Sequence, residues 1–169
     1  YTDETANVRV EDGLLKITAI RENRNGRPFT SARLKSQDLY EFTYGRIDVR
    51  ARVPEGGGTW PAIWLLGADL ETNPWPAAGE IDIMEHTGNN AGTIYGTVHS
   101  PSGFGGTSNG GTLTVSDATT EIHVYTVDWT ADKIDFLVDG QLFYTYNPAT
   151  KDDDTYPFNK DFFLLVNLA

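Results

Sequence analysis

The sequence has 169 residues, of which 39% are hydrophobic and 12% aromatic, enough for one folded domain with a sizeable core. Its formal net charge of −11 argues against nucleic acid and anionic membrane surfaces as partners, because both are negatively charged. The sequence has no cysteine, which excludes disulfides and thiolate metal sites, and no apolar run long enough to span a bilayer. We therefore predict a single domain over residues 1–169, with neither a nucleic-acid nor a membrane partner.

Short β-strand patterns separated by Gly, Asn and Asp follow one another along the chain. The dipeptides Asp12-Gly13 and Asp139-Gly140 lie between apolar runs and predict two β-hairpins. Residues 46–53 alternate apolar and charged side chains, which is typical of a half-exposed antiparallel strand. Residues 101–111 are rich in Gly, Ser and Asn and are predicted to form a loop over a cleft. The other predicted strands are residues 8–11, 14–20, 31–36, 62–66, 79–87, 93–99, 112–115, 123–129, 133–138, 141–146 and 161–168.

The many short strands predict an all-β protein. No segment longer than a turn or two has the 3.6-residue period of a helix, so a β-sandwich or a β-barrel is expected. The last apolar run, residues 161–168, stops at the end of the sequence. A core strand at that place leaves open sheet edges, so we expect further sequence or a second chain to complete the sheets.

Residues 79–86 place three carboxylates within six positions, among large apolar side chains. On a helix, Glu80 would lie far around the axis from Asp82 and Glu85. On a regular strand, Glu80 and Asp82 share a face, and Glu85 falls on the other face by one residue. A β-bulge at residues 83–84 would return Glu85 to the first face. We predict a bulged strand with its two isoleucines in the core and all three acids facing a cleft.

Buried carboxylates require a partner, a metal ion or a proton. The pattern therefore indicates either the acidic floor of a cleft or a metal site. Two carboxylates on one cleft are the minimum for glycoside hydrolysis, and a separation of about 5–5.5 Å gives retention through a covalent intermediate. Two charges about 5 Å apart repel by roughly 3 kcal/mol. This repulsion favours one shared proton, so that one carboxyl is an acid while the other is a nucleophile.

Aromatic residues precede the acidic strand closely. Trp60, Trp64 and Trp75 all lie within twenty residues of it, and His99 follows the next predicted strand. Single tryptophans are more often core residues, but exposed indole rings also stack on the apolar faces of sugars. We take the three tryptophans and His99 as candidate substrate-binding residues. His86 and His123 are assigned structural roles.

The acidic strand resembles the Glu-x-Asp-x-x-Glu signature of glycoside hydrolase family 16. The spacing is similar to the bulged form found in its laminarinases, agarases and carrageenases. Other stretches similar to the laminarinase branch are residues 30–34, 44–46, 58–64, 96–99 and 139–140. The resemblance implies a β-jelly-roll sandwich of two antiparallel sheets, secretion, and retaining hydrolysis of internal β-1,3-glucosidic bonds in laminarin-type β-glucans.

The resemblance also implies a role for each candidate residue. Glu80 would be the nucleophile, Glu85 the acid/base and Asp82 the residue that assists Glu80. The sugar subsites would be lined by Trp60, Trp64, Trp75 and His99. No cofactor and no metal ion are expected. Family members usually begin with a further strand region and continue past Ala169, so the chain is expected to be the central part of the fold, with incomplete sheets at both ends.

Three alternatives stay open at this point. The same sandwich suits a non-catalytic glucan-binding module, although such a module has no need for the acid pair. The same chemistry also suits mixed-linkage glucan or a red-algal galactan, and the charge of −11 counts against sulfated substrates. A calcium-dependent structural or adhesion jelly roll is the third alternative. In that case the acids at residues 152–154 would be candidate calcium ligands, although a solvated acidic loop explains them better.

Overall fold

The structure is a computed structural model that describes all of residues 1–169. Its β-strands are, in chain order, β1 (Val8–Glu11), β2 (Leu14–Ile17), β3 (Arg33–Lys35), β4 (Glu41–Phe42), β5 (Gly45–Ala51), β6 (Pro61–Gly67), β7 (Glu80–His86), β8 (Thr93–His99), β9 (Asn109–Thr114), β10 (His123–Trp129), β11 (Ile134–Val138), β12 (Gln141–Tyr146) and β13 (Phe162–Leu168). The helical segments are two 3-10 turns of three residues, Gly88–Asn90 and Gly105–Thr107. Both are too short to cross a lipid bilayer.

The strands form two main sheets. The larger has seven strands in the order β3-β13-β6-β7-β8-β9, with β4 also paired to β13. The smaller has four strands in the order β12-β11-β10-β5, and β1 and β2 form a separate hairpin. Every pairing is antiparallel. The predicted all-β sandwich of two antiparallel sheets is confirmed.

The core lies between the two main sheets and contains twenty buried hydrophobic residues. Trp129, at 1% exposure, is the largest side chain that is fully buried. Its indole packs edge-on against Tyr44 and Phe162, with ring centroids 5.3 and 5.2 Å apart. Its Nε1–H donates to the carbonyl oxygen of Phe158 at 2.9 Å, so this polar atom is paired inside the core. Of the four tryptophans, Trp129 is therefore the one with a purely structural environment.

The two Asp-Gly dipeptides form the predicted hairpin turns. Asp12 and Gly13 have φ values of 54° and 74°, and Asp139 and Gly140 have 50° and 79°. Two consecutive residues with positive φ are the signature of the type I′ turn, whose twist matches the flanking strands. The strand predicted at residues 14–20 ends at Ile17, because its partner β1 begins only at Val8.

The glycine-rich segment after β8 differs from its prediction. Strand β9 begins at Asn109, so the strand predicted at residues 112–115 extends back into the predicted loop, residues 101–111. Gly110 pairs with Thr97, and Gly111 pairs with Gly96. A Cβ atom at Gly111 would lie 2.7 Å from Tyr144 Cβ. Gly111 is therefore needed for close packing rather than for a loop. For this reason the glycine-rich composition of the segment wrongly predicted a loop up to residue 111. Strand β4 was not predicted.

An apolar cavity of about 660 Å³ lies between β2 and β5. Strand β2 pairs only with β1, and β5 pairs only with β10, so each strand has a free edge. The predicted alternation of β5 is confirmed, because Ile47, Val49 and Ala51 are half-buried while the charged residues between them are exposed. Met84 and Val166 also line the cavity.

Candidate active site

Strand β7 carries the predicted bulge. On the neighbouring strand β8, Asp82 pairs with Thr97 and Glu85 pairs with Tyr95. Three steps along β7 therefore match two steps along β8, which is the definition of a one-residue bulge. The extra residue turns Glu85 to the same side as Glu80 and Asp82. Ile81, Ile83 and Met84 are buried in the core, as the alternation predicts for the isoleucines.

The three acids open into one cleft with a volume of about 260 Å³. Strand β7 lies between β6 and β8, near the middle of the larger sheet, so neighbouring strands supply the walls. The cleft is lined by Arg33, Trp60, Ala62, Trp64, Glu80, Asp82, Glu85, Asn167 and Ala169. The expectation that Glu80, Asp82 and Glu85 share one cleft is therefore met by the geometry.

Two indole groups hold the two glutamates. The Nε1–H of Trp60 donates to Glu85 Oε1 at 2.8 Å, and the Nε1–H of Trp75 donates to Glu80 Oε2 at 2.9 Å. Both indoles are also exposed, by 51% for Trp60 and 42% for Trp75. Each indole can therefore orient a carboxylate through its N–H while part of its surface stays accessible to a ligand.

Trp64 has a different environment from the other two candidate tryptophans. It is half-buried, and its Nε1–H donates to Asn167 Oδ1 at 2.9 Å. The Arg33 guanidinium lies over its ring, 5.4 Å from the centroid. Arg33 and Asn167 were not predicted as site residues. The sequence contains a feature that could have identified Asn167 as a site residue, because it is the one amide side chain inside the apolar run of residues 161–168.

His99 lies against the acidic cluster. Its Nε2 atom is 3.1 Å from Asp82 Oδ2 and 3.8 Å from Glu80 Oε1. Asp82 is only 3% exposed, and its Oδ2 atom has no hydrogen-bond partner, so the 3.1 Å approach lacks the alignment of a hydrogen bond. The ring also packs against Trp75, with centroids 5.8 Å apart. His86, by contrast, is fully buried on the core side of β7, and His123 pairs with Asp139 outside the site.

The surroundings raise the pKa values of all three acids. Burial, and then the neighbouring Asp82 carboxylate, raise the pKa of Glu80 to about 8. Burial likewise raises the pKa of Asp82 well above its usual range. Burial raises the pKa of Glu85 as well, and the indole N–H of Trp60 opposes that rise. A buried group of carboxyls with raised pKa values retains protons near neutral pH, which suits acid/base chemistry.

The cluster also has the residue types of a metal site. Glu80, Asp82 and His99 each offer one ligand atom, and these atoms lie within 4.8 Å of one another. Carboxylate oxygens and imidazole nitrogens are among the ligands that zinc takes in proteins. The alternative that the sequence left open, an acidic cleft or a metal site, therefore depends on which ring nitrogen of His99 carries the lone pair that faces the acids.

Two antiparallel sheets with paired carboxylates in an open cleft define a β-sandwich of the glycoside hydrolase type. Residues 1–167 match the family described as glycosyl hydrolases family 16. The chain therefore belongs to glycoside hydrolase family 16, and the resemblance seen in the acidic strand is confirmed.

Individual relatives agree with this membership. The beta-glucanase of Rhodothermus marinus is 43% identical over 96% of this chain and 60% of that protein. Glucan endo-1,3-beta-glucosidase A1 of Niallia circulans is 36% identical over 100% of this chain and 27% of that protein. The crystal structure of the Rhodothermus marinus laminarinase superposes with a TM-score of 0.94 at 41% identity, covering 98% of this chain and 70% of that one. The chain thus spans less than two thirds of the length of the first two relatives.

Proposed function

We propose that this protein hydrolyses internal β-1,3-glucosidic bonds in laminarin-type β-glucans, with retention of the anomeric configuration. The observation that carries the proposal is the bulge in β7, which brings Glu80 and Glu85 into one cleft. Membership of family 16 supports glycoside hydrolysis, and relatives named beta-glucanase and laminarinase support a β-glucan as the substrate.

In the proposed mechanism, Glu80 attacks the anomeric carbon and forms a covalent glycosyl-enzyme intermediate. Glu85 first protonates the departing glycosidic oxygen and then takes a proton from the incoming water. The proton donor needs a raised pKa, and burial raises the pKa of Glu85. Burial and the Asp82 carboxylate raise the pKa of Glu80 to about 8, so Glu80 must release its proton before it can attack. The Trp75 N–H bond to Glu80 favours that ionised form.

Asp82 assists Glu80 in this proposal. Asp82 is buried, and the fold raises its pKa well above its usual range. Glu80 and Asp82 share a proton, and in the reactive form Asp82 carries it and donates a hydrogen bond to Glu80, which leaves the negative charge on the attacking carboxylate. When Glu80 becomes an ester with the sugar, the negative charge passes to Glu85, which has given its proton to the departing oxygen.

The exposed aromatic rings support a neutral sugar polymer as the ligand. Trp60 and Trp75 are exposed next to Glu85 and Glu80, respectively, and exposed indole groups provide apolar contact area for sugar rings. Arg33 and Asn167 add polar groups at the wall of the cleft. The net charge of −11 disfavours sulfated galactans, because such polymers are polyanions. Preference between β-1,3 and mixed-linkage glucan stays a prediction.

The test is proton NMR of the first product formed from laminarin. We expect the β-anomer to appear first and the α-anomer to grow in later by mutarotation. An α-anomer as first product would contradict the retaining mechanism. Binding of laminarin without any release of reducing ends would instead favour the non-catalytic glucan-binding module.

Glu80→Ser provides the matched variant. We expect it to lose turnover and to retain laminarin binding, because the cleft walls are unchanged. Glu71→Ser, which removes an exposed glutamate away from the cleft, is the control and should keep the activity of the parent. Wild-type turnover in Glu80→Ser would end the assignment of Glu80 as nucleophile.

Completion of the sheets and secretion are also proposals. The apolar cavity between β2 and β5, with a free strand edge on each side, supports the expectation that a further strand pairs there. A polymeric substrate that cannot enter a cell supports the expectation of an extracellular enzyme.

A further inference from the structure

The 3-10 turn at Gly105–Thr107 contacts the imidazole of His99. The backbone N–H of Gly105 donates to His99 Nδ1 at 3.1 Å. An imidazole nitrogen that accepts a hydrogen bond carries a lone pair and no proton, so in the neutral ring the proton is on Nε2. The turn therefore selects one of the two tautomers of His99.

Other contacts hold the turn in this place. The hydroxyl of Thr107 donates to the carbonyl oxygen of Phe104 at 2.9 Å. The Phe104 ring packs edge-on against Trp75, with centroids 5.3 Å apart. Trp75 in turn contacts both His99 and Glu80. The packing of Phe104 on Trp75 therefore fixes the turn, and with it the direction of the Gly105 N–H toward His99.

The Nε2–H of His99 faces the acids. Nε2 lies 3.1 Å from Asp82 Oδ2, an oxygen that is buried and has no hydrogen-bond partner. A small rotation of the imidazole would align its N–H with this oxygen. A buried acceptor without a partner is unfavourable, so this alignment gives Asp82 the donor that it lacks.

The same tautomer opposes metal binding. A metal ion held by Glu80, Asp82 and His99 needs the lone pair of Nε2, which places the ring proton on Nδ1. That proton would point at the hydrogen of the Gly105 N–H. The turn therefore favours His99 as a hydrogen-bond donor over His99 as a metal ligand.

We propose that His99 is a positioning residue: Gly105 fixes its tautomer, and its Nε2–H orients Asp82, which in turn orients Glu80. This role differs from contact with the sugar, which the sequence indicated for His99. The effect on turnover rests on the proposed function, whereas the tautomer itself does not.

The tautomer is measured directly by long-range ¹H–¹⁵N correlation NMR on the ¹⁵N-histidine-labelled protein. The chain has three histidines, and a His99→Gln sample assigns the resonances of His99. We expect the His99 ring to carry its proton on Nε2 and to leave Nδ1 unprotonated. A protonated Nδ1, or a strong response of His99 Nε2 to micromolar Zn²⁺, would overturn the proposal. This readout holds even if the protein has no glucanase activity.

Two substitutions separate positioning from sugar contact. The amide of glutamine reaches the place of Nε2, whereas the shorter amide of asparagine reaches only the place of Nδ1. We expect His99→Asn to lower kcat about 10- to 100-fold with KM within about twofold, and His99→Gln to recover most of that loss. A rise in KM in both variants at an unchanged kcat would overturn the positioning role. Thermal unfolding of each variant confirms that both are folded.

Discussion

Replacing Glu80 by glutamine should stabilise the folded protein at neutral pH. The Glu80 side chain is 18% exposed, and burial followed by the Asp82 carboxylate raises its pKa from 4.5 to about 8. At any pH between these two pKa values, Glu80 has released its proton in the unfolded chain but keeps it in the folded protein. The contribution of Glu80 to stability is therefore neutral at low pH and becomes unfavourable as the pH rises.

The size of the effect follows from the pKa difference. At about pH 7 the unfolded pKa lies about 2.5 units below the pH, which corresponds to about 3.4 kcal/mol. Relaxation of the site and entry of water reduce such a penalty, so we expect Glu80→Gln to gain about 1–3 kcal/mol at that pH. At about pH 4 the gain should fall toward zero, because the parent carboxyl is protonated in both states.

Urea unfolding followed by tryptophan fluorescence, at both pH values, measures this difference. Comparing parent and variant at each pH cancels the titration of other groups. Glu55→Gln, which removes an exposed glutamate that makes no ion pair, controls for the change in net charge. A gain that is the same at both pH values, or a variant less stable than the parent near neutrality, would refute the argument.

Two further substitutions test the site and the packing. Trp60→Phe removes the N–H that lowers the pKa of Glu85. The alkaline limb of the pH dependence of kcat/KM should therefore move up by about one pH unit. An alkaline limb at the same pH as in the parent would contradict this prediction. Gly67→Ala places a Cβ 2.0 Å from the Ala78 carbonyl oxygen and should lower the free energy of unfolding by about 2–3 kcal/mol. The control Gly106→Ala, with no atom within 4 Å of the new Cβ, should change it by less than about 0.5 kcal/mol; equal effects of the two glycine substitutions would count against the packing argument.

The local features were readable in the sequence. The two Asp-Gly hairpins, the alternation of β5 and the bulge in β7 were all predicted, and the structure confirms them. Each depends on a period of two or on a turn whose φ values few residues tolerate. These preferences act between neighbours in the chain, so the sequence alone displays them.

The tryptophans show where the sequence was insufficient. Trp60, Trp64 and Trp75 all precede the acidic strand, yet only Trp60 and Trp75 donate to the glutamates. Trp64 instead donates to Asn167, which is far along the chain. The pairing of β6 with β13 brings Trp64 and Asn167 together. The local sequence pattern predicts strands but does not predict the order in which they pair.

The acidic strand and its bulge were thus determined by the sequence itself, because side-chain alternation fixes which residues share a face. The tertiary structure alone decided what surrounds the acids. Arg33 and Asn167 arrive from strands β3 and β13, and Gly105 reaches His99 from a turn that follows β8. These contacts depend on strand order and on the packing of aromatic side chains, which are properties of the whole sheet and not of any one segment.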